Sequence, residues 1–375
     1  MLVVLRVNVL HFYGGLFLYS LNICFFGIQV CMLFRFLSIS FLVFVSVNTF
    51  SQQLGGNTVF NFINQPNAAQ LSALGGVNIS NITNDVSVSF HNPALLRTQM
   101  QQQVNTSFNN YFAGIKNYSA TTAFYLPASN TNMAVGVNYF NYGSLTQTDA
   151  AGNILGTFHP TDYVVQLMAS HRYLQRWWYG MTLKYMSSNY AQYKSNGVAV
   201  DVGVAYYDSA HFLQAAFLIK NLGTQLKTYD GGTKQELPFD MQIGVTKRLE
   251  HAPFQFSLTA HHLQAFNMYY NDSTYNAGIG NDNASNNLSL NKIFSHLVLA
   301  TQIFISDQVE VTAGYNFLRR HDLNAYATTN GLNGFTAGLG VKLKKLHIRY
   351  ATGFYQQNMF HQVGFNFNWK GNVLE

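Results

Sequence analysis

The chain has 375 residues, of which 10% are charged and 15% are aromatic, and its formal net charge at pH 7 is +6. A soluble globular domain carries about 25% charged residues, so this composition argues against a fold whose surface is covered by water. The small positive charge gives no reason to expect a nucleic-acid partner.

Residues 1–51 have the layout of an export leader. Phe36–Val47 is an apolar run of twelve residues, preceded by Met32 and Arg35 and followed shortly by Ser51. This order matches a secretory signal peptide, and the run is too short to span a bilayer comfortably. We expect translation to start at Met32, with residues 1–31 an over-extended gene prediction; a genuinely long leader or a helical anchor is the alternative.

Both cysteines of the chain lie before the predicted cleavage after Ser51, at Cys24 and Cys31. The exported chain would then contain no cysteine, so its stability cannot come from disulfides. A closed β-barrel can supply that stability instead.

Residues 52–102 predict a compact, mostly irregular N-terminal plug. The Gly75-Gly76 pair allows positive φ angles without a steric penalty. Upstream, Asn67 is placed to cap a short helix over Ala68–Leu74, which Gly75 would end.

The second half of the plug is organised by a proline turn. Asn92-Pro93 forces an extended residue before the proline and removes a backbone donor, and Ala94 follows. We expect one short strand at Val86–Phe90 just before this turn. The turn either shapes a gate or simply ends the plug strand and directs the chain into the barrel, and the second interpretation needs fewer assumptions.

From Gln103 onward the chain falls into strand-length segments with alternating side chains. The clearest, Val198–Tyr207, sets four valines and Tyr206 on one face against alanine, glycine and Asp201 on the other. Apolar residues outside and small or polar residues inside are typical of a transmembrane barrel. A soluble sandwich would instead show a charged outer face.

These segments predict an all-β fold, a fourteen-stranded antiparallel transmembrane β-barrel over residues 103–375. The candidate strands are residues 103–112, 117–126, 131–141, 161–173, 177–187, 196–208, 211–220, 239–249, 254–265, 293–305, 308–318, 334–343, 346–354 and 359–369. Tight turns alternate with four long loops, at residues 143–160, 221–238, 266–292 and 319–333. Short periplasmic turns and long extracellular loops indicate the outer membrane.

A motif in the plug carries a family resemblance. The segments Ala73–Ser80 (ALGGVNIS), Asp85-Val86 and Asn92–Leu96 (NPALL) resemble the N-terminal signature of the FadL-like outer-membrane proteins. With the lead-in Gly55–Gly76, the chain is most similar to the PorV/PorQ group of that superfamily, which belongs to the type IX secretion system. The resemblance implies a fourteen-stranded barrel and places the plug motif at Gly75, Gly76, Asp85, Asn92, Pro93 and Ala94.

Two basic clusters invite a functional interpretation. Arg319, Arg320 and His321 open a long loop and are candidate contacts for an acidic partner or for lipopolysaccharide phosphates, with a solvated loop base as the alternative. A second set flanks a predicted periplasmic turn, and we interpret it as an interfacial turn whose lysines extend to water. Its members are Lys342, Lys344, Lys345, His347 and Arg349.

The residues give little reason to expect chemistry. His261-His262 is an adjacent pair, but neighbours on one strand point to opposite faces, so we expect no metal site there. We find no Ser/His/Asp set with catalytic spacing, and we expect neither enzymatic activity nor a cofactor.

Two functions remain open. The group resemblance implies an outer-membrane anchor for a surface partner, a PorZ-like protein, in the attachment complex with PorU and PorV that delivers cargo to lipopolysaccharide. The four long loops would then form the partner surface. The alternative is a FadL-like channel for uptake of hydrophobic small molecules, which the small and polar inward rows disfavour.

Overall fold

The computed structural model describes residues 58–265, 290–323 and 330–369. The chain divides into two units, Met1–Ser51 and Gln52–Glu375. The predicted start site and signal peptide fall in the first unit, outside the described residues. Over the described ranges, no helix has both the length and the apolar character needed to cross a membrane.

Sixteen strands form within the described ranges. They are β1 (Gln103–Asn110), β2 (Lys116–Leu126), β3 (Thr131–Asn141), β4 (Leu145–Thr148), β5 (Ile154–Phe158), β6 (Thr161–Tyr173), β7 (Trp177–Tyr190), β8 (Tyr193–Asp208), β9 (Leu213–Lys227), β10 (Asp240–Arg248), β11 (Phe254–Ala260), β12 (Leu297–Phe304), β13 (Val309–Asn316), β14 (Phe335–Lys342), β15 (Leu346–Tyr355) and β16 (Asn358–Asn368). All but β4 and β5 belong to one sheet.

That sheet is a closed antiparallel barrel of fourteen strands. Strands that follow one another in the chain pair in the barrel, except that β3 pairs with β6 because β4 and β5 are left out. The barrel closes where β1 pairs with β16, from Gln103↔Asn368 to Asn110↔His361. The predicted fold class is confirmed. Closure leaves no free edge, which is what a β-structure in a bilayer requires.

The predicted loops differ from the structure at several of the described residues, and residues 266–289 and 324–329 of two predicted loops lie outside the described ranges. Residues 143–160 contain a hairpin, β4 paired with β5, which stands outside the barrel sheet. Residues 221–238 begin as strand, because β9 stays paired with β8 as far as Lys227 opposite Asn196. Strand β11 also ends at Ala260, five residues earlier than predicted.

The side chains alternate as predicted. On β8, Val198 and Val202 are exposed on the outside, whereas Ala199, Asp201 and Gly203 are buried. On β16, Phe365 is exposed and its neighbours Gly364 and Asn366 are buried, in line with the predicted pattern of apolar residues outside and small or polar residues inside. An apolar exterior on a closed barrel places the protein in the outer membrane.

Leu183 tests this orientation, since it lies in the middle of β7 and is 50% exposed. Leu183→Arg should cost roughly 2–4 kcal/mol of unfolding free energy in lipid vesicles, because the guanidinium would sit at the bilayer midplane. Ile154→Arg, on the hairpin strand β5, should cost almost nothing. Equal losses for the two variants in denaturant titrations would contradict the assigned lipid face.

Residues 58–102 lie inside the barrel as a chain of short turns. They include one α-helix, α1 (Ala69–Ala73), and 3₁₀ turns at Asn61–Asn64, Val86–Phe90, Pro93–Leu95 and Thr98–Met100. Two further helices, α2 (Leu290–Ser295) and α3 (Phe317–Leu323), lie next to barrel strands. The predicted plug is therefore present, and from here residues 58–102 are called the plug.

Two local predictions for the plug were wrong. Val86–Phe90 is a 3₁₀ turn, not a strand, because the Asp85 side chain accepts a hydrogen bond from the Ser87 amide at 2.9 Å and starts a turn. Asn67 does not cap α1, whose first residue is Ala69 and whose cap residue is Ala68. The glycine stop is present: the Gly76 amide donates to the Leu71 carbonyl at 2.9 Å, and both glycines have positive φ.

Candidate functional site

The plug crosses the lumen from end to end. We call the end that carries the long loops the outer end and the opposite end the periplasmic end. At the outer end Thr58 forms a parallel bridge with Glu236, between β9 and β10. At the periplasmic end Met100 is fully buried, and the chain passes through Gln102 into β1.

The plug fits tightly against glycines of the barrel wall. A Cβ atom added at Gly180 would lie 2.5 Å from the backbone nitrogen of Ala94, and one added at Gly338 would lie 2.5 Å from the Cβ of Ala73. Four more inward glycines leave as little room beside plug residues: Gly136 beside Phe90, Gly197 beside Phe60, Gly203 beside Asn92 and Gly314 beside Gly75. The small residues on the inner face of the barrel therefore make room for the plug.

Apolar contacts seal the plug at both ends. At the outer end Phe62 packs edge-on against Phe140 of β3, with ring centroids 5.8 Å apart. Toward the periplasmic end, Leu96 and Met100 are fully buried with Met168 of β6. Burial of each such side chain contributes about 1.5–3 kcal/mol, so the plug is part of the folded core.

An ionic network ties the plug to the wall. The Arg349 guanidinium of β15 contacts the Asp85 carboxylate through Nη1 and donates through Nε to Glu310 Oε1 of β13 at 2.9 Å. His347 Nε2 lies 3.5 Å from Glu310 Oε1, and Lys342 Nζ lies 3.8 Å from Glu310 Oε2. Asp85, Glu310 and Arg349 are all more than 90% buried.

The barrel register explains this network. Glu310 pairs with Gly340 of β14, and Gly340 pairs in turn with Arg349, so the three residues form one row across three strands. A Cβ at Gly340 would lie 2.6 Å from the Glu310 side chain. The glycine therefore lets the carboxylate reach across β14 to the guanidinium.

The sequence interpretation missed this network. We expected Lys342, His347 and Arg349 to belong to a solvated turn, but all three are directed toward Glu310; Lys344 and Lys345 are exposed as expected. One signal was present in the sequence: Glu310 sits at an inward position of β13, where a charge needs a partner.

The plug-motif residues hold the plug together and seat it. The Gly75 amide donates to Thr336 Oγ1 at 3.1 Å, and its carbonyl accepts from Asn316 Nδ2 at 3.1 Å. Asn92 joins two plug segments, donating through Nδ2 to the Ile79 carbonyl at 2.8 Å and accepting from the Ala94 amide at 3.0 Å. These contacts support the structural interpretation of the proline turn, and a role in gating stays a prediction.

The three residues of the basic loop cluster have different surroundings. Its three residues lie in α3, and Arg319 is directed into the barrel, where its guanidinium contacts Gly76 and lies 5.4 Å from the Tyr355 ring. Arg320 donates to the Gly331 carbonyl at 2.9 Å, and His321 is exposed beside Asp322. A partner role for the three stays a prediction, with His321 the most accessible of them.

A cavity of about 330 Å³ lies between the plug and the wall at the outer end. Its lining includes charged and polar side chains from four strands or strand ends and from α3: Lys220, Asp240, His261, His262, Asn316 and Arg319. Burial, and then the neighbouring His262, lower the pKa of His261 well below its usual range. Leu71, Ile79 and Leu318 also line the cavity, so its wall combines apolar surface with a few charged and polar groups.

His261 and His262 do not lie on a regular strand, so the expectation that no metal site forms there loses its basis. Strand β11 ends at Ala260, and His262 has a φ of 54°, so alternation no longer separates the two rings. Their ring centroids lie 4.7 Å apart, and both histidines line the cavity.

The comparisons with known proteins give structural neighbours. No protein-family model matches the chain, and no curated protein matches its sequence. The similar solved structures include FadL-family outer-membrane barrels.

A TodX monoaromatic hydrocarbon channel (deltaS2 mutant) has a TM-score of 0.47 and 10% identity, covering 81% of this chain and 97% of that one. The CymD monoaromatic hydrocarbon channel has a TM-score of 0.46 and 12% identity, covering 82% and 97%. A Pseudomonas aeruginosa FadL homologue has a TM-score of 0.45 and 8% identity, covering 80% and 98%.

At these TM-scores and identities, structural similarity gives no basis for assigning an activity to this chain. The neighbours described do not support the predicted PorV/PorQ assignment, which stays a prediction.

Proposed function

We propose that this protein is a closed outer-membrane barrel that anchors a surface partner. The observation that carries the proposal is the fit of the plug, whose backbone near Ala94 and Gly75 lies so close to Gly180 and Gly314 that a methyl group would not fit there. Close packing at these plug–wall contacts opposes the passage of a solute through the lumen. Its functional surface is then the outer end.

The outer end offers an apolar contact surface. The hairpin β4–β5 stands outside the barrel sheet, and its Ile154 and Leu155 are 75% and 62% exposed. Exposed apolar side chains on a loop outside the lipid belt are typical of protein interfaces. The motif resemblance gives the partner a class: a PorZ-like surface protein of a type IX attachment complex with PorU and PorV, acting on lipopolysaccharide.

A second candidate is a FadL-like channel for hydrophobic small molecules. The cavity at the outer end is its structural support, since a ligand could enter there beside the plug. Two of the solved neighbours are also described as monoaromatic hydrocarbon channels. Transport would require the plug to move, because its contacts with the wall continue below the cavity.

Co-purification from native outer membranes in mild detergent tests the anchor. The double variant Ile154→Ser/Leu155→Ser should reduce recovery of the surface partner about tenfold, because two exposed apolar anchors are removed. The matched control, Ala150→Ser/Ala151→Ser, changes two small residues of the same hairpin and should leave recovery unchanged. A wild-type barrel that purifies alone, and that raises uptake of a hydrophobic probe in liposomes, would contradict the anchor and support the channel.

A further inference from the structure

Three metal-ligating side chains meet where β10 begins and β11 has just ended. Asp240 is the first residue of β10, and β10 pairs with β11 up to Ile243↔Ala260. The two residues that follow Ala260 are His261 and His262, so the pairing brings all three side chains to one place. Their ligand atoms lie within 4.8 Å of one another.

The histidine nitrogens are available to a ligand. His261 Nε2 and His262 Nδ1 are buried and have no hydrogen-bond partner among the described residues. His262 Nδ1 lies 3.5 Å from Asp240 Oδ1, too far for a good hydrogen bond. Leaving a buried polar atom without a hydrogen-bond partner costs about 1–3 kcal/mol. A cation bound between these two nitrogens and the carboxylate would remove that cost.

The carboxylate is held in position by its neighbours. Asp240 Oδ1 accepts from the His262 amide at 2.6 Å, and Oδ2 accepts from Gln242 Nε2 at 2.5 Å. Hydrogen bonds of this kind orient metal ligands and raise their affinity. The backbone of His262, fixed by that bond, also sets the direction of its ring.

We propose that Asp240, His261 and His262 form a Zn²⁺ site at the outer end of the barrel. Two imidazoles and one carboxylate are a donor set that zinc binds with an open fourth position. Ligand atoms around tetrahedral zinc are about 3.3 Å apart, so a bound ion would draw these atoms together from separations of up to 4.8 Å.

The charged side chains around the site indicate which kind of fourth ligand the zinc ion would take. The three side chains line the cavity, which is also lined by Lys220 and Arg319. These two cations oppose a bare metal ion and favour an anionic fourth ligand, such as a carboxylate. The site would join β10 to the end of β11, at the base of the connection to β12.

Zinc titration of the purified barrel tests the site. The mature protein, without a polyhistidine tag, is stripped with a chelator in detergent and titrated with ZnCl₂ by calorimetry. We expect one zinc per barrel, and a loss of affinity of at least thirtyfold in His261→Gln/His262→Gln. Asp240→Asn, which retains an acceptor for the His262 amide, should lose about tenfold.

A histidine beside a carboxylate elsewhere serves as the matched control. His211 Nδ1 lies 2.9 Å from Asp208 Oδ2 at the periplasmic end, and His211→Gln should bind zinc as the wild type does. Heat-modifiable mobility on gels shows that each variant is a folded barrel. A wild type that binds no zinc, or equal affinity in the wild type and in both site variants, would overturn the proposal.

Discussion

Replacing Arg349 by leucine is expected to loosen the plug and open an ion path through the barrel. The change leaves the Asp85 carboxylate buried without its cationic partner, and it removes the stronger of the contacts to Glu310. Breaking a buried ion pair from one side costs roughly 3–5 kcal/mol. Part of that cost can be avoided if the plug segment around Asp85 leaves the lumen.

Conductance of single barrels in planar bilayers measures the outcome. The wild type should be silent for most of the recording, and Arg349→Leu should show frequent open events. Lys345→Ala removes an exposed cation from the turn just before β15 and should behave as the wild type does. A silent Arg349→Leu barrel of unchanged stability would show that the network does not hold the plug.

Adding two methyl groups to the wall should displace the plug. Gly180→Ala/Gly314→Ala places Cβ atoms against the plug backbone near Ala94 and Gly75. Because the contacted atoms belong to the backbone, they cannot move aside as the end of a flexible side chain could. Overpacking costs about 1–3 kcal/mol per site. The control, Gly364→Ala, sits on an inward row of β16, where the nearest atom, the Cβ of Ala69, is at an ordinary 3.6 Å.

A cysteine placed in α1 reports the displacement. Ser72 is fully buried, so Ser72→Cys should resist maleimide labelling in the parent and in the Gly364→Ala control. In the double glycine variant the label should react at least ten times faster. Equal labelling rates in all three backgrounds would mean that the plug tolerates the added volume and is not tightly fitted.

The barrel could be predicted because its signal is local. Along β8, residue type alternates between large apolar and small or polar, and this alternation shows which side chains face outward. The same rule places Glu310 on the inner face of β13. Strand ends were less accurate: the pattern does not show that β9 stays paired as far as Lys227, since that depends on its neighbour β8.

The site could be predicted only in part, because it depends on register between distant strands. Arg349 meets Glu310 across Gly340, and Arg349 also contacts Asp85, which lies 264 residues away along the chain. Periodicity along one strand cannot show such a row. The turn of His262 into the left-handed region is equally hidden, because alternation assumes that the strand continues.

The most direct test of the closed barrel is a reversible lock between the plug and the wall. A Cβ at Gly364 would lie 3.6 Å from the Cβ of Ala69, within the range that a disulfide spans. In the predicted cysteine-free mature chain, Ala69→Cys/Gly364→Cys would therefore join α1 to β16 on oxidation.

The measurement is uptake of a hydrophobic probe by liposomes that contain this variant, before and after reduction. A closed anchor predicts uptake no faster than in protein-free liposomes in both states, with the same partner recovered from membranes. Uptake that is fast when the lock is reduced and lost when it is oxidised would contradict this account and show that the plug moves to let a substrate through.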